Sequence, residues 1–137
     1  MIKYSLVGYD GSDSSQRAFR FALDLARCGD GRVRVISVLQ TNQGGDTAAM
    51  LMTGEAHRRD AEIRAELHQL APDADALVEF ELLHGTPGDA LLEQMRQYPI
   101  DHVAIGHSGR GTLARWLLGS VPDEVLAGAQ VPVTVVR

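Results

Sequence analysis

The stretch that decides the fold is "IKYSLVGYDGSDSSQRAFRFALDLARC", Ile2 to Cys28. Its first part, "IKYSLVGY" (2–9), is a continuous apolar run of strand length, and "DGSDSS" breaks it. The remainder, "DSSQRAFRFALDLARC" (13–28), spaces Ala18, Phe21, Ala22, Leu25 and Ala26 along one helical face. Asp13 with Gln16 forms a capping-box pattern at the helix start, and Gly29 and Gly31 are placed to stop it. A buried strand running through a short polar turn into an amphipathic helix is the first half of a βα unit.

The same alternation continues outward. "VRVISVL" (33–39) reads as a second strand; "QTNQGGDTAAMLMTG" is irregular, either a loop or the frayed start of the next helix. "EAHRRDAEIRAELHQLA" (55–71) reads as a charged amphipathic helix anchored by Ile63, Leu67 and Leu70 and ended by Pro72. Its mixed charges suit a solvated face. "ALVEFELLHG" (76–85) reads as a third strand. A helix follows over 86–98, with Thr86 as cap, Pro87 at its first position and Asp89 completing a capping box. "DHVAIG" (101–106) is a fourth strand, 120–129 a last helix and "VPVTVV" (131–136) a last strand. Strands separated by helices are most simply parallel, joined by right-handed crossovers. The expected fold is α/β: an open five-stranded parallel sheet with helices on both faces, one domain over 1–137.

Composition narrows the function classes. The chain has 137 residues, a net charge of −5 and no basic run, so nucleic acid is not expected as a partner. No apolar run reaches membrane-spanning length, and the N-terminus reads as a strand rather than a signal peptide. Cys28 is the only cysteine, so no internal disulfide forms; a cytoplasmic location is expected, with Cys28 as buried or half-buried filler. His57, His68, His84 and His102 are scattered without metal-ligand spacing.

In an open parallel sheet, ligands bind beyond the carboxyl ends of the strands where the strand order reverses. That directs attention to "DGSDSS" after the first strand and to "GHSGRGTLARWLLGS" (106–120) after the fourth. No Walker loop is present, and "GYDGS" does not match the dinucleotide fingerprint. The second segment carries Gly106, Gly109, Gly111 and Gly119. Gly106 closes a strand, Gly109 and Gly111 can expose backbone N–H groups, and Gly119-Ser120 opens a helix whose N-terminus favours anions. Arg110 and Arg115 add charge suited to phosphates. A plain reading stands beside this one: Ser120-x-x-Asp123 is also a capping box, and glycines form turns. Asp10 before Gly11 likewise suits an Asx turn as well as a ligand. Trp116 suits packing better than base stacking.

The segment "GHSGRGTLARWLLGSVPDEVL" with "VPVTVVR" resembles the universal stress protein family. ATP-binding members carry G-x2-G-x9-G-[ST], which Gly106, Gly109, Gly119 and Ser120 match without a gap. "VGYDGSDSS" and "HGTPGDALLE" resemble other parts of that family, so the likeness spans the chain. The resemblance implies a Rossmann-like domain of the adenine nucleotide alpha hydrolase type. It further implies a homodimer through the C-terminal strand and an adenine nucleotide, ATP or ADP or AMP, with or without Mg²⁺. Carried over by position, Asp10 and the backbone at Val38 would contact the nucleoside. Ile105, Gly106 and Gly109 would line the ribose and phosphate path, with Arg110 alongside, and Gly119, Ser120 and Val121 would hold the phosphates. His107 and Ser108 depart from the usual small hydroxyl and basic pair. The function implied is a nucleotide-dependent stress or signalling switch. Two alternatives stay open. Slow ATP hydrolysis or phosphotransfer would need metal ligands, for which Asp10 is a candidate, and a water-positioning residue that the sequence does not supply. A nucleotide-free dimeric interaction module is the other.

Overall fold

A computed structural model of the chain describes residues 1–39, 46–106 and 128–137. The elements run β1 (Tyr4–Gly8), α1 (Asp13–Gly29), β2 (Arg32–Leu39), α2 (Asp46–Leu70), a 3-10 turn (Asp75–Leu77), β3 (Val78–His84), α3 (Pro87–Gln97), β4 (His102–Gly106) and β5 (Val133–Val136). The five strands form one sheet in the order β3-β2-β1-β4-β5, and every pairing is parallel. The chain therefore builds outward from β1 to β3, then returns to the opposite side of β1 for β4 and β5. Val7 pairs with Val35 on one side and with Ala104 on the other. The reversal lies between β1 and β4, and ligands of open parallel sheets bind at the carboxyl ends of the strands beside such a reversal. The expected helix over 120–129 falls almost wholly outside the described residues.

Strand alternation sends successive side chains to opposite faces. Val7, Val33, Val35 and Ala104 pack with α1 and with Ile63 and Leu67 of α2. Leu6, Ile36, Val103 and Ile105 pack on the other face with Leu91 of α3 and Ile100. All five residues of β1 are buried, as a central parallel strand requires.

The face of α1 differs from the one its spacing predicts. Ala18, Phe19, Ala22, Leu23 and Ala26 are buried, whereas Phe21 is 39% exposed. "AFRFALDLA" contains two overlapping apolar stripes, and only docking against the sheet selects one. The cap also moves by one residue: Ser12, not Asp13, is the N-cap, its side chain accepting from the Ser15 N–H at 3.2 Å. At the other end Asp30, with φ 54°, takes the left-handed position expected of a glycine. Gly31 is needed for space: a Cβ there would lie 2.6 Å from the Lys3 carbonyl oxygen. Cys28 is exposed rather than buried.

The helix α2 starts at Asp46, so the second reading of that irregular segment, an early helix start, is the one realised in its later part. Pro87 occupies the first turn of α3 as expected, but Thr86 makes no side-chain capping bond. Burial on the α3 face is partly polar. The buried Arg34 guanidinium binds Gln94 Oε1 and the carboxylates of Glu79 and Glu81, and it stacks on the Tyr98 ring at 3.9 Å.

Candidate functional site: the carboxyl ends of β1, β2 and β4

The tip of β1 is held from three sides. Tyr9 donates its backbone N–H to the Ile36 carbonyl at 2.9 Å, and Ser37 Oγ donates to the Tyr9 carbonyl at 2.5 Å. The Tyr9 phenol is buried and donates to Glu66 Oε1; burial first, then this bond and the nearby negative charge, push its pKa well above the ordinary tyrosine value. It therefore stays protonated and ties β1 to α2. Asp10 follows. Its Oδ1 accepts from the Ser12 N–H at 2.9 Å, so the Asx turn expected of an Asp-Gly pair is present. Its own N–H reaches Ser15 Oγ at 3.4 Å, and its carbonyl accepts from Arg59 Nη2 at 3.3 Å. Gly11 then turns the chain with φ 86°, a conformation that side chains disfavour.

Beside this turn lies a cleft of about 140 Å³ lined by Tyr9, Asp10, Ser37, Val38, Leu39, Arg59, Leu82 and Pro87. Its floor is the tip of β2; Val38, Leu39, Leu82 and Pro87 are its apolar residues, and Tyr9, Asp10, Ser37 and Arg59 its polar ones. Two predicted site residues, Asp10 and Val38, are thus brought together. Arg59, Leu82 and Pro87 complete the cleft without having been singled out from the sequence. Arg59 sits in a helix of alternating charges where one arginine looks like the next.

Across β1, the tip of β4 is built differently. Ile105 is fully buried in the apolar cluster on the α3 face, leaving its backbone for any ligand. Gly106 is in contact with the start of α1: a Cβ there would lie 2.4 Å from the Ser14 carbonyl carbon and 2.5 Å from the Ser15 nitrogen. The missing side chain therefore admits the helix backbone, which brings the N-terminal turn of α1 to the switch point. The small Ser14-Ser15 pair was the available signal for this. The other predicted residues, Gly109, Arg110, Gly119, Ser120 and Val121, lie outside the described residues, as do His107, Ser108 and Trp116.

Among the described residues, no histidine lines this cleft. His68 pairs with Asp75 at 3.1 Å on the surface, and His57 and His84 are exposed. His102 is buried beneath β5, with Nδ1 2.9 Å from Ser5 Oγ and Nε2 2.8 Å from Thr134 Oγ1. Burial lowers its pKa, opposed by the neighbouring Asp101 charge. Among the described residues, no group of three His, Cys, Asp or Glu is placed to hold a metal ion. Among them too, no helix is long and apolar enough to cross a membrane.

A family model described as the universal stress protein family matches residues 1–137. The chain belongs to the universal stress protein family. A relative from Thermus aquaticus, a universal stress protein, is 33% identical, with all of each chain covered. A universal stress protein solved in complex with cAMP superposes with a TM-score of 0.66 at 28% identity, covering 99% of this chain and 97% of that one. One from Archaeoglobus fulgidus in complex with dAMP superposes with a TM-score of 0.59 at 25% identity, each chain fully covered. As a member of the family, the protein has the five-stranded parallel α/β fold of its relatives.

Proposed function

We propose that this universal stress protein is a single-domain adenine-nucleotide-binding protein, with the ligand lying across the carboxyl ends of β1 and β4. The observation that carries this is the strand-order reversal between β1 and β4, flanked by the cleft of Asp10 and Val38 on the β2 side and by Gly106, first residue of the G-x2-G-x9-G-S motif, on the β4 side. The cAMP and dAMP found in the two related structures share an adenine base and one phosphate, which is the chemistry proposed for this end of the sheet. Asp10 and the Val38 backbone meet the nucleoside. Gly109, Arg110, Gly119, Ser120 and Val121, the motif residues and their neighbours, are assigned the phosphate contacts, with the Arg110 guanidinium suited to an anion. ATP, ADP and AMP are all candidate ligands, and Mg²⁺ would accompany the polyphosphates rather than form a separate protein site.

The role is binding and switching in the cytoplasm during stress, not turnover. Occupied and empty forms must differ in affinity for a second state, here a homodimer joined through β5. β5 supports that reading because, among the described residues, it pairs only with β4 at the end of the sheet and leaves Val135 44% exposed. Calorimetry with ATP, ADP, AMP and cAMP tests the ligand. Wild-type protein binds at least one of them, and a folded Gly119→Val variant loses that binding. Equal affinity in the two proteins would remove the motif from the site, and no binding by wild type would overturn the reading.

A further inference from the structure

Resting on the nucleotide reading, we infer that Arg59 of α2 stacks on the base of the bound nucleotide and leaves the phosphates alone. The argument is one of position. The cleft lies over β2, between the tips of β1 and β3, with Val38, Leu39, Leu82 and Pro87 as its apolar surfaces. Gly106, where the phosphate path begins, is on the opposite side of β1. A group lining the β2 cleft therefore faces the nucleoside. Arg59 is the cationic side chain of that lining.

Its guanidinium is already oriented. Nη2 donates to the Asp10 carbonyl at 3.3 Å, and Nη1 lies 3.5 Å from Glu62 Oε2. Gly11 leaves room beneath it: a Cβ at that position would be 3.6 Å from Nη2. With its side chain 35% exposed, Arg59 is neither locked in the core nor free in solvent. A planar guanidinium held by its edge presents a face, and that face suits a purine ring, by stacking and by cation attraction to the π system. Glu62 offsets part of its charge, which weakens any long-range pull on phosphates. The bond to the Asp10 carbonyl also couples the base to the β1 turn, so α2 and the turn would be ordered together by ligand.

The test is calorimetry of adenosine, AMP and ATP with wild type, Arg59→Ala, Arg59→Lys and Arg59→Gln. Arg59→Ala is expected to weaken all three ligands by the same factor, about tenfold. Lysine, which lacks the planar face, does not restore affinity. Arg59→Gln keeps a polar, helix-compatible side chain without the guanidinium face and is expected to bind as weakly as the alanine variant; it carries the test if the alanine variant unfolds. A loss that grows from adenosine to ATP and is rescued by lysine would make Arg59 a phosphate contact and overturn the proposal. So would unchanged affinities in the folded variants. Failure of wild type to bind any of the three would instead overturn the nucleotide reading beneath it.

Discussion

The neighbouring tips of β1 and β4 use their small residues in opposite ways. At β4, Gly106 is closed against backbone, with atoms of Ser14 and Ser15 inside the volume a side chain would need. At β1, a Cβ on Gly11 would make only ordinary contacts, 3.6 Å from Arg59 Nη2 and from Glu66 Oε1, and the glycine is required by its φ of 86°. One glycine supplies room, the other supplies a conformation. The closed tip positions a helix; the open tip, with the cleft over β2 next to it, positions a ligand. A glycine in a nucleotide motif can thus serve the scaffold first and the ligand only through it.

This contrast can be broken experimentally. Gly106→Ala is expected to have the largest effect, costing about 3 kcal/mol because α1 must move off the sheet. Urea denaturation measures it, and a loss below that of Gly11→Ala would show that the tip of β4 has slack. Gly11→Ala should cost less, about 1–2 kcal/mol, since only the left-handed backbone opposes it. Gly11→Asn should recover part of that loss. Ser12→Ala, which removes the cap of the same turn, is expected to cost about 1 kcal/mol in the same assay.

The smallest effect is expected at His102, away from both tips. Its folded-state pKa is lowered by burial, so as the pH falls the unfolded chain takes up the proton first. Stability from this residue is therefore level above the ordinary value of 6.5 and declines below it. Thermal unfolding from pH 7.5 to 5 should show that decline in wild type and a shallower one in His102→Gln. Equal slopes would mean that the Ser5–His102–Thr134 chain of contacts tolerates the charge.

Periodicity was enough to anticipate most of the elements because each apolar run has a length and flanking residues that suit one structure. "IKYSLVGY" is too short and too uniformly apolar for a surface helix, and Pro87 can open a helix but not continue one. Local signals with two solutions were misread. Ser12 and Asp13 can both cap, and the overlapping stripes of α1 can bury either Phe19 or Phe21. Cys28 looked like packing but falls on the solvent side of the same helix. In the site, Asp10 drew attention because it follows the first strand beside the reversal, whereas Val38 came only from the family resemblance. Arg59 was not, since its place in the cleft depends on where α2 lies over the sheet.

By itself the sequence determined the βα alternation, the parallel sheet and the two loops at its switch point. Those follow from short-range rules: side-chain period, chain-breaking residues and crossover geometry. Only the tertiary structure decided which face of α1 is inside, why Gly106 must lack a side chain, and that Arg59 meets the Asp10 turn. Each of these depends on atoms far apart in the chain competing for the same few ångströms, and no local pattern records the outcome of that competition.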